Sequence, residues 1–301
     1  EKATKSAFVS AIDGWLKGNN KYQKNESKIT WGDIEDCLVL VSNNFSTQTS
    51  YENQTKKAIT NKFVQEAMTE FLKTRLEIYF IENTAAAQRI AEKALEEILP
   101  LIKPGAVERE VAAELDYRMA RLGSTGVSFP TIFVSGAKSS LPHGTPGDKK
   151  IEAGDFVTID FGAMVGGYHS DMTRTFAVGF ATDEMKKVYN TVLEAQLAGL
   201  AISKAGVPGK DIDGAARKVI TDAGYGEYFG HGYGHSLGLE VHENPSPNAR
   251  NDKPMPVGAV ASAEPGIYLP GKFGVRIEDT CVFLEDGIEN LTHSPKNLII
   301  I

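Results

Sequence analysis

An α+β fold built from two repeated ααββ halves is the prediction from this 301-residue sequence, and three observations carry it. The first is an internal repeat of helix positions. Lys103-Pro-Gly105 is followed, at offsets of 6, 10, 14 and 18 from the glycine, by Val111, Leu115, Met119 and Gly123; Lys204-Ala-Gly206 is followed at the same offsets by Ile212, Ala216, Ile220 and Gly224. That spacing describes one apolar helix face closed by a glycine. The second is that both halves continue into a strand opened by a glycine. Gly154-Asp-Phe-Val-Thr-Ile-Asp160 and Gly258-Ala-Val-Ala-Ser-Ala-Glu264 each place an acid six residues on. The third is a further acid in each half: Asp171 lies 11 residues after Asp160, and Glu278 lies 14 residues after Glu264.

Taken in chain order, residues 1–72 form an N-terminal segment of different texture, rich in Asn, Lys, Ser and Thr. It holds an amphipathic stretch from Phe8 to Leu16, a strand-like run from Asp36 to Ser42 and a polar stretch from Asn43 to Thr55. A helical pattern starts near Ala58 and runs through Phe63, Phe71, Ile81 and Ala85 to Leu95, Ile98 and Ile102, where Pro104-Gly105 stops it. Residues 73–301 are read as the main domain. Within it, a helix is predicted over Glu108–Leu122. Strands follow over Asp155–Gly162 and Asp171–Val178 around the Gly166-Gly167 turn, and then a helix over Glu184–Lys204.

Composition narrows the function classes. Hydrophobic residues make up 42% and charged residues 24%, which excludes disordered and fibrous chains. No apolar run approaches the ~20 residues of a membrane span. A net charge of −7 argues against a basic nucleic-acid-binding surface. Cys37 and Cys281 cannot make a disulfide framework, so a reducing, cytoplasmic compartment is expected. The sequence opens at Glu1 with neither Met nor signal peptide. Asn25, Asn44, Asn53 and Asn290 fit the glycosylation acceptor pattern, as an Asn-rich chain does by chance.

The four repeated acids pose an electrostatic problem. Asp160 follows Val-Thr-Ile and Glu264 follows Val-Ala-Ser-Ala, both strand-interior contexts where an unpaired carboxylate costs several kcal/mol. Arg174 and Arg276 are near in sequence, but two arginines cannot neutralise four acids. Divalent cations can, and oxygen-rich sites suit Mn²⁺, Co²⁺, Mg²⁺ or Zn²⁺. The histidines point the same way. Of six, three fall in the glycine-rich run His231-Gly-Tyr-Gly-His235-Ser-Leu-Gly-Leu-Glu-Val-His242, and His143 precedes the first acid-bearing strand. His169 and His293 lack such company. Four carboxylates with one imidazole suit a two-metal centre that acidifies a shared water.

The blocks Asp160-Phe-Gly, Gly167-Tyr-His-Ser-Asp171-Met-Thr-Arg-Thr175, His231-Gly-Tyr-Gly-His235, Val241-His-Glu-Asn-Pro245, Glu264-Pro-Gly-Ile-Tyr268 and Val275-Arg-Ile-Glu278-Asp resemble the signatures of the proline-specific metallopeptidases, aminopeptidase P and prolidase. The resemblance spans about Lys73 to Ile301 and implies the pita-bread fold shared with methionine aminopeptidase and creatinase. It implies Asp160, Asp171, His235, Glu264 and Glu278 as metal ligands, with Asp171 and Glu278 bridging two ions. In that family the ligand histidine lies seven residues before the histidine of the His-Glu-Asn-Pro block, which selects His235 over His231. The resemblance makes His143 and His242 the substrate-contacting histidines that stabilise the tetrahedral intermediate. His231 lines the proline pocket, Arg276 stands at the wall of the metal site, and Glu264 relays a proton. The implied activity is metal-assisted hydrolysis of Xaa-Pro bonds in small proline-containing peptides. Mn²⁺ is the expected metal, with Co²⁺ or Zn²⁺ as substitutes, and a cytoplasmic homodimer without nucleic-acid or membrane partners is the expected state. Proline-specific members carry a longer N-terminal domain, which residues 1–72 do not match. The alternatives are a methionine aminopeptidase-like exopeptidase, disfavoured by His231 and the Gly-Val-Arg-Ile-Glu block, and a non-catalytic binding protein on the same fold.

Overall fold

A computed structural model describes residues 1–24, 26–38, 40 and 61–301. The chain divides into two compact units, Glu1–Tyr79 and Phe80–Ile301. Among the described residues, no helix is long and apolar enough to cross a membrane.

The first unit begins with α1 (Lys2–Gly18), which takes in the predicted amphipathic stretch. Tyr22 folds back on it, donating to Asp13 Oδ1 (2.9 Å) and accepting from Ile29 N (2.9 Å). Short 3₁₀ turns follow at Trp31–Asp33 and Glu35–Cys37. The second replaces the start of the strand expected from Asp36. Alternating apolar residues fix a strand only where a sheet edge pairs with them. The end of that run, the polar stretch after it and the acceptor motifs at Asn25, Asn44 and Asn53 lie outside the described residues. α2 (Lys62–Ile98) is a 37-residue helix whose C-terminal part belongs to the second unit. It ends at a 3₁₀ turn, Leu99–Leu101, ahead of Pro104.

The second unit shows the repeat in three dimensions. α3 (Glu108–Arg121) and β1 (Ile132–Ser135) lead to β2 (Phe156–Phe161), the small hairpin β3 (Met164–Val165) and β4 (Tyr168–His169), and β5 (Met172–Ala177). The other half holds α4 (Asp183–Ile202), α5 (Gly209–Asp222), β6 (Val260–Ala263), β7 (Gly266–Leu269), β8 (Phe273–Arg276), β9 (Asp279–Phe283) and β10 (Ile288–Asn290). β2 pairs antiparallel with β5, as β6 does with β9. β1 flanks β2 with Ser135 opposite Val157, and in the other half Ser236 bridges to Ala261, three residues after the strand-opening glycine just as Val157 is.

Each half has its own core, and the repeated positions sit in it. Val111, Leu115 and Met119 pack with Ala87, Leu95, Val157, Ile159 and Phe161; Ile212, Ala216 and Ile220 pack with Val188, Val192, Ala261, Ala263 and Val275. The glycines match as well. Gly123 (φ 107°) and Gly224 (φ 87°) follow the last turns of α3 and α5 in the left-handed region, which a residue with a Cβ enters only at a cost.

Candidate metal centre

The repeat places equivalent acids at equivalent points of the two strand pairs. Asp160 is on β2, opposite Thr173 of β5, while Glu264 directly follows β6. Asp171 and Glu278 each stand immediately before their strand, β5 and β9. The two pairs are cross-linked by matching threonines. Thr173 Oγ1 donates to Glu278 Oε2 (2.7 Å), and Thr280 Oγ1 donates to the carbonyl of Asp171 (2.8 Å). The Glu278 amide also donates to the Thr173 carbonyl (3.1 Å).

His235 reaches the centre from the glycine-rich segment after α5. Its Nε2 lies 3.4 Å from Asp171 Oδ2 and 3.4 Å from Glu264 Oε1, while its Nδ1 is 3.2 Å from the Ser236 carbonyl. Second-layer contacts of that kind fix the ring orientation of a ligating histidine. Ser262 Oγ accepts the His235 amide (3.0 Å) and donates to Glu264 Oε1 (3.2 Å), tying the two residues together. Such proximity depends on Gly234: a Cβ there would stand 2.0 Å from the Ser262 carbonyl oxygen.

Ligand atoms of Asp171, His235 and Glu278 all lie within 4.8 Å of one another. Oδ1 of Asp160, Oδ1 of Asp171 and Oε1 of Glu278 are buried and have no hydrogen-bond partner. Burial, with the charges of Asp160 and Glu264 added, pushes the Asp171 carboxyl well above the usual carboxylate range. Burial and the Asp171 charge do the same to Glu278. Asp160 is raised mainly by burial, against the pull of Arg276. Oxygens in this state either hold protons or face cations. The donor set is hard oxygen with one imidazole, so the residues present fit divalent ions of the Mn²⁺ type.

The arginines divide their work. Arg276 pairs with Asp160 (Nη2 to Oδ2, 2.5 Å) and donates to Thr173 Oγ1 (3.0 Å), Tyr268 Oη (2.8 Å) and the Pro142 carbonyl (3.2 Å). Arg174 turns away from the acids of the centre. It donates to Asp279 Oδ1 (2.8 Å) and to the carbonyls of Glu278, Ser294 and Pro295. Of the four repeated acids, only Asp160 has an arginine partner among the described residues.

A cavity of about 510 Å³ opens on this cluster, and all nine site residues expected from the sequence line it: His143, Asp160, Asp171, His231, His235, His242, Glu264, Arg276 and Glu278. Phe129, Pro130, Ile132, Pro142 and Val241 give it an apolar wall. The His242 ring rests on that of His235, centroids 4.3 Å apart, and burial followed by the nearby His235 lowers its pKa. His231 Nε2 is 2.9 Å from Tyr268 Oη, and burial holds this histidine towards its neutral form. Tyr268, its hydroxyl pushed up to about 12 by burial, therefore joins His231 to Arg276. Sequence reasoning missed Tyr268, Thr173 and Ser262 as members of the site. Tyr268 and Thr173 had a signal, since the first closes the Glu-Pro-Gly-Ile-Tyr block and the second lies in the block around Asp171.

A buried oxygen-and-imidazole cluster at the mouth of a cavity makes a candidate metal-binding site, and the comparisons with known proteins narrow the class. The sequence profile of metallopeptidase family M24 matches residues 82–285, and the chain belongs to that family. It is 44% identical over 228 residues to the Xaa-Pro dipeptidase of Pyrococcus horikoshii, covering 76% of this chain and 64% of that protein. It is 37% identical over 305 residues to a putative dipeptidase of Bacillus subtilis, covering 100% of this chain and 83% of the relative. Among solved structures, the X-Pro aminopeptidase from Thermotoga maritima superposes with a TM-score of 0.73 at 46% identity, over 77% of this chain and 66% of that one. The architecture is the pita-bread fold of these peptidases. The profile of DNA gyrase B also matches residues 1–99, about a third of the chain, overlapping the first match over 82–99.

Proposed function

We propose that this chain is a divalent-metal-dependent peptidase that hydrolyses Xaa-Pro bonds in small peptides, and that Asp160, Asp171, His235, Glu264 and Glu278 hold a pair of ions, Mn²⁺ in the cell. The observation that carries the reading is the set of three buried, unpartnered carboxylate oxygens beside His235. The names of the relatives support the substrate class. So does the apolar cavity wall, which suits a proline ring and an apolar neighbour. The reading takes residues 73–301 as the catalytic domain and 1–72 as a separate segment, and it takes the enzyme to be a cytoplasmic homodimer.

When bound, the ions supply a water acidified towards neutral pH. The chain's own residues do the rest. Glu264, free on the cavity side of its Ser262 hydrogen bond, accepts the proton and passes it to the leaving imino nitrogen. His143 and His242 donate to the oxygen that becomes negative in the tetrahedral intermediate. His231, fixed by Tyr268, orients the proline side of the substrate. An imino nitrogen has no N–H, so enzymes that recognise that donor are poorly suited to the bond.

The test is hydrolysis of Ala-Pro, Ala-Pro-Ala and Met-Ala-Ser with Mn²⁺ or with chelator. Mn²⁺-dependent cleavage of Ala-Pro, or release of Ala from Ala-Pro-Ala, is the expected result, and it separates dipeptidase from aminopeptidase specificity. Cleavage confined to Met-Ala-Ser would replace the reading with the methionine aminopeptidase one. Metal binding without any cleavage would leave a binding protein on this fold.

A further inference from the structure

We propose that Glu108 is a positioning residue that clamps the segment carrying His143 against the metal centre. This rests on the role given above to His143, but the geometry behind it is separate. Glu108 opens α3 and is fully buried (0% exposed). A buried carboxylate is tolerated only when its oxygens are matched by donors, and here both are. Oε1 accepts from Ser135 N (2.8 Å) and Ser135 Oγ (2.9 Å), and Oε2 accepts from Lys138 Nζ (2.7 Å) and Gly147 N (3.1 Å).

Those donors stand at the two ends of one excursion of the chain. Ser135 closes β1 and Lys138 belongs to the 3₁₀ turn Gly136–Ser140 that follows. Gly147 is where the chain returns. Between Lys138 and Gly147, Pro142, His143 and Thr145 line the cavity, whereas Ser135, Lys138, Gly147 and Glu108 do not. One carboxylate therefore gathers the start and the end of the segment and leaves its middle facing the substrate. Among the described residues, two further hydrogen bonds from other elements hold the middle: Gly274 N donates to Ser139 Oγ (2.9 Å), and Arg276 donates to the Pro142 carbonyl (3.2 Å).

The other half uses the same device. Asp213 of α5, 1% exposed, accepts from Tyr233 N (2.9 Å) and from Arg217 (2.8 and 3.0 Å). Arg217 in turn donates to the carbonyls of Phe229 (3.0 Å) and His231 (2.7 Å). Each half thus fixes its histidine-bearing segment with a buried acid on the second helix of its pair. The two acids do not occupy repeat-equivalent positions, so the device follows from what each segment must hold and not from the repeat alone.

Glu108→Gln keeps the shape but turns one oxygen into an NH₂ group, which cannot accept from either pair of donors. The donors facing that group lose their acceptor: Ser135 at the start of the segment, or Lys138 and Gly147 at its two ends. The experiment follows the imidazole signals of the full-length protein by NMR, with that of His143 identified by its absence in His143→Ala. In Glu108→Gln the His143 signal is expected to shift or broaden while those of His231 and His235 and the bound metal per chain stay unchanged. Hydrolysis of Ala-Pro is expected to lose about 10- to 100-fold in kcat with KM little changed, the scale of a displaced catalytic group. Glu108→Gln/His143→Ala should be no slower than His143→Ala alone. An unmoved His143 signal, or losses that multiply in the double variant, would overturn the proposal. Lys138→Met, which removes a donor at the start of the segment from a partly exposed position, gives the same readouts if Glu108→Gln does not fold. Full activity of His143→Ala would instead refute the role assigned to His143, and the NMR signal would still decide whether Glu108 positions it.

Discussion

Three carboxylates meet at the centre without enough positive charge to balance them. Arg276 pairs with Asp160, and Arg174 is held by Asp279 and backbone carbonyls, so among the described residues Asp171 and Glu278 have only imidazole and hydroxyl side-chain partners. In water such groups would be separately solvated. Here burial raises both, and a cation is the cheapest way to keep them ionised at neutral pH. Asp171→Ala removes the acid proposed to face both ions. It is expected to lose bound metal and all measurable hydrolysis while the far-UV circular dichroism stays native, because Asp171 lies ahead of β5 and its carboxylate is not part of the strand ladder. Retained metal and activity in that variant would remove the two-ion reading.

At the scale of elements, the site depends on strands that approach too closely for side chains. Gly234 lets the His231–His235 segment lie on β6, where the Ser262 carbonyl accepts no Cβ as a neighbour. Gly234→Ala is expected to cost about 1–3 kcal/mol of stability, the range for forced overpacking, and to weaken metal binding by displacing His235. Thermal unfolding with and without Mn²⁺ checks both, and an unchanged metal-induced rise in Tm would show that His235 had not moved. The elements were legible where local signals were strong. Helix faces came from the buried set Val111, Leu115, Met119 and its counterpart Ile212, Ala216, Ile220, and helix ends from Gly123 and Gly224, whose conformation only glycine enters readily. β1, β7, β8 and β10 went unread, because each is only three or four residues long and is fixed by pairing with another strand, not by its own pattern. The Asp36 run differs for the opposite reason, its apolar character being a local pattern whose first residues form a 3₁₀ turn.

For the whole molecule, the repeat is the organising fact. Two halves bring two acids each to a shared cavity, and a histidine from a glycine-rich segment completes the set. Most of the candidate site could be read from spacing and resemblance because its chemistry-bearing residues cluster in a few blocks. The supporting residues could not. Glu108 and Asp213 resemble ordinary helix acids in sequence, and the contacts that bring Thr173, Ser262 and Tyr268 into the site join residues 105, 27 and 37 positions apart in the chain. That chain spans 64% of the Pyrococcus dipeptidase, so the count of ions and the activity of this polypeptide are properly measured on it directly. The most direct measurement is a titration of metal-free protein with Mn²⁺, following bound metal per chain and Ala-Pro hydrolysis in the same samples. Two ions bound per chain, with hydrolysis rising as the pair fills, is the predicted result. Hydrolysis that survives in metal-free protein, or saturation at a single ion with full activity, would contradict it.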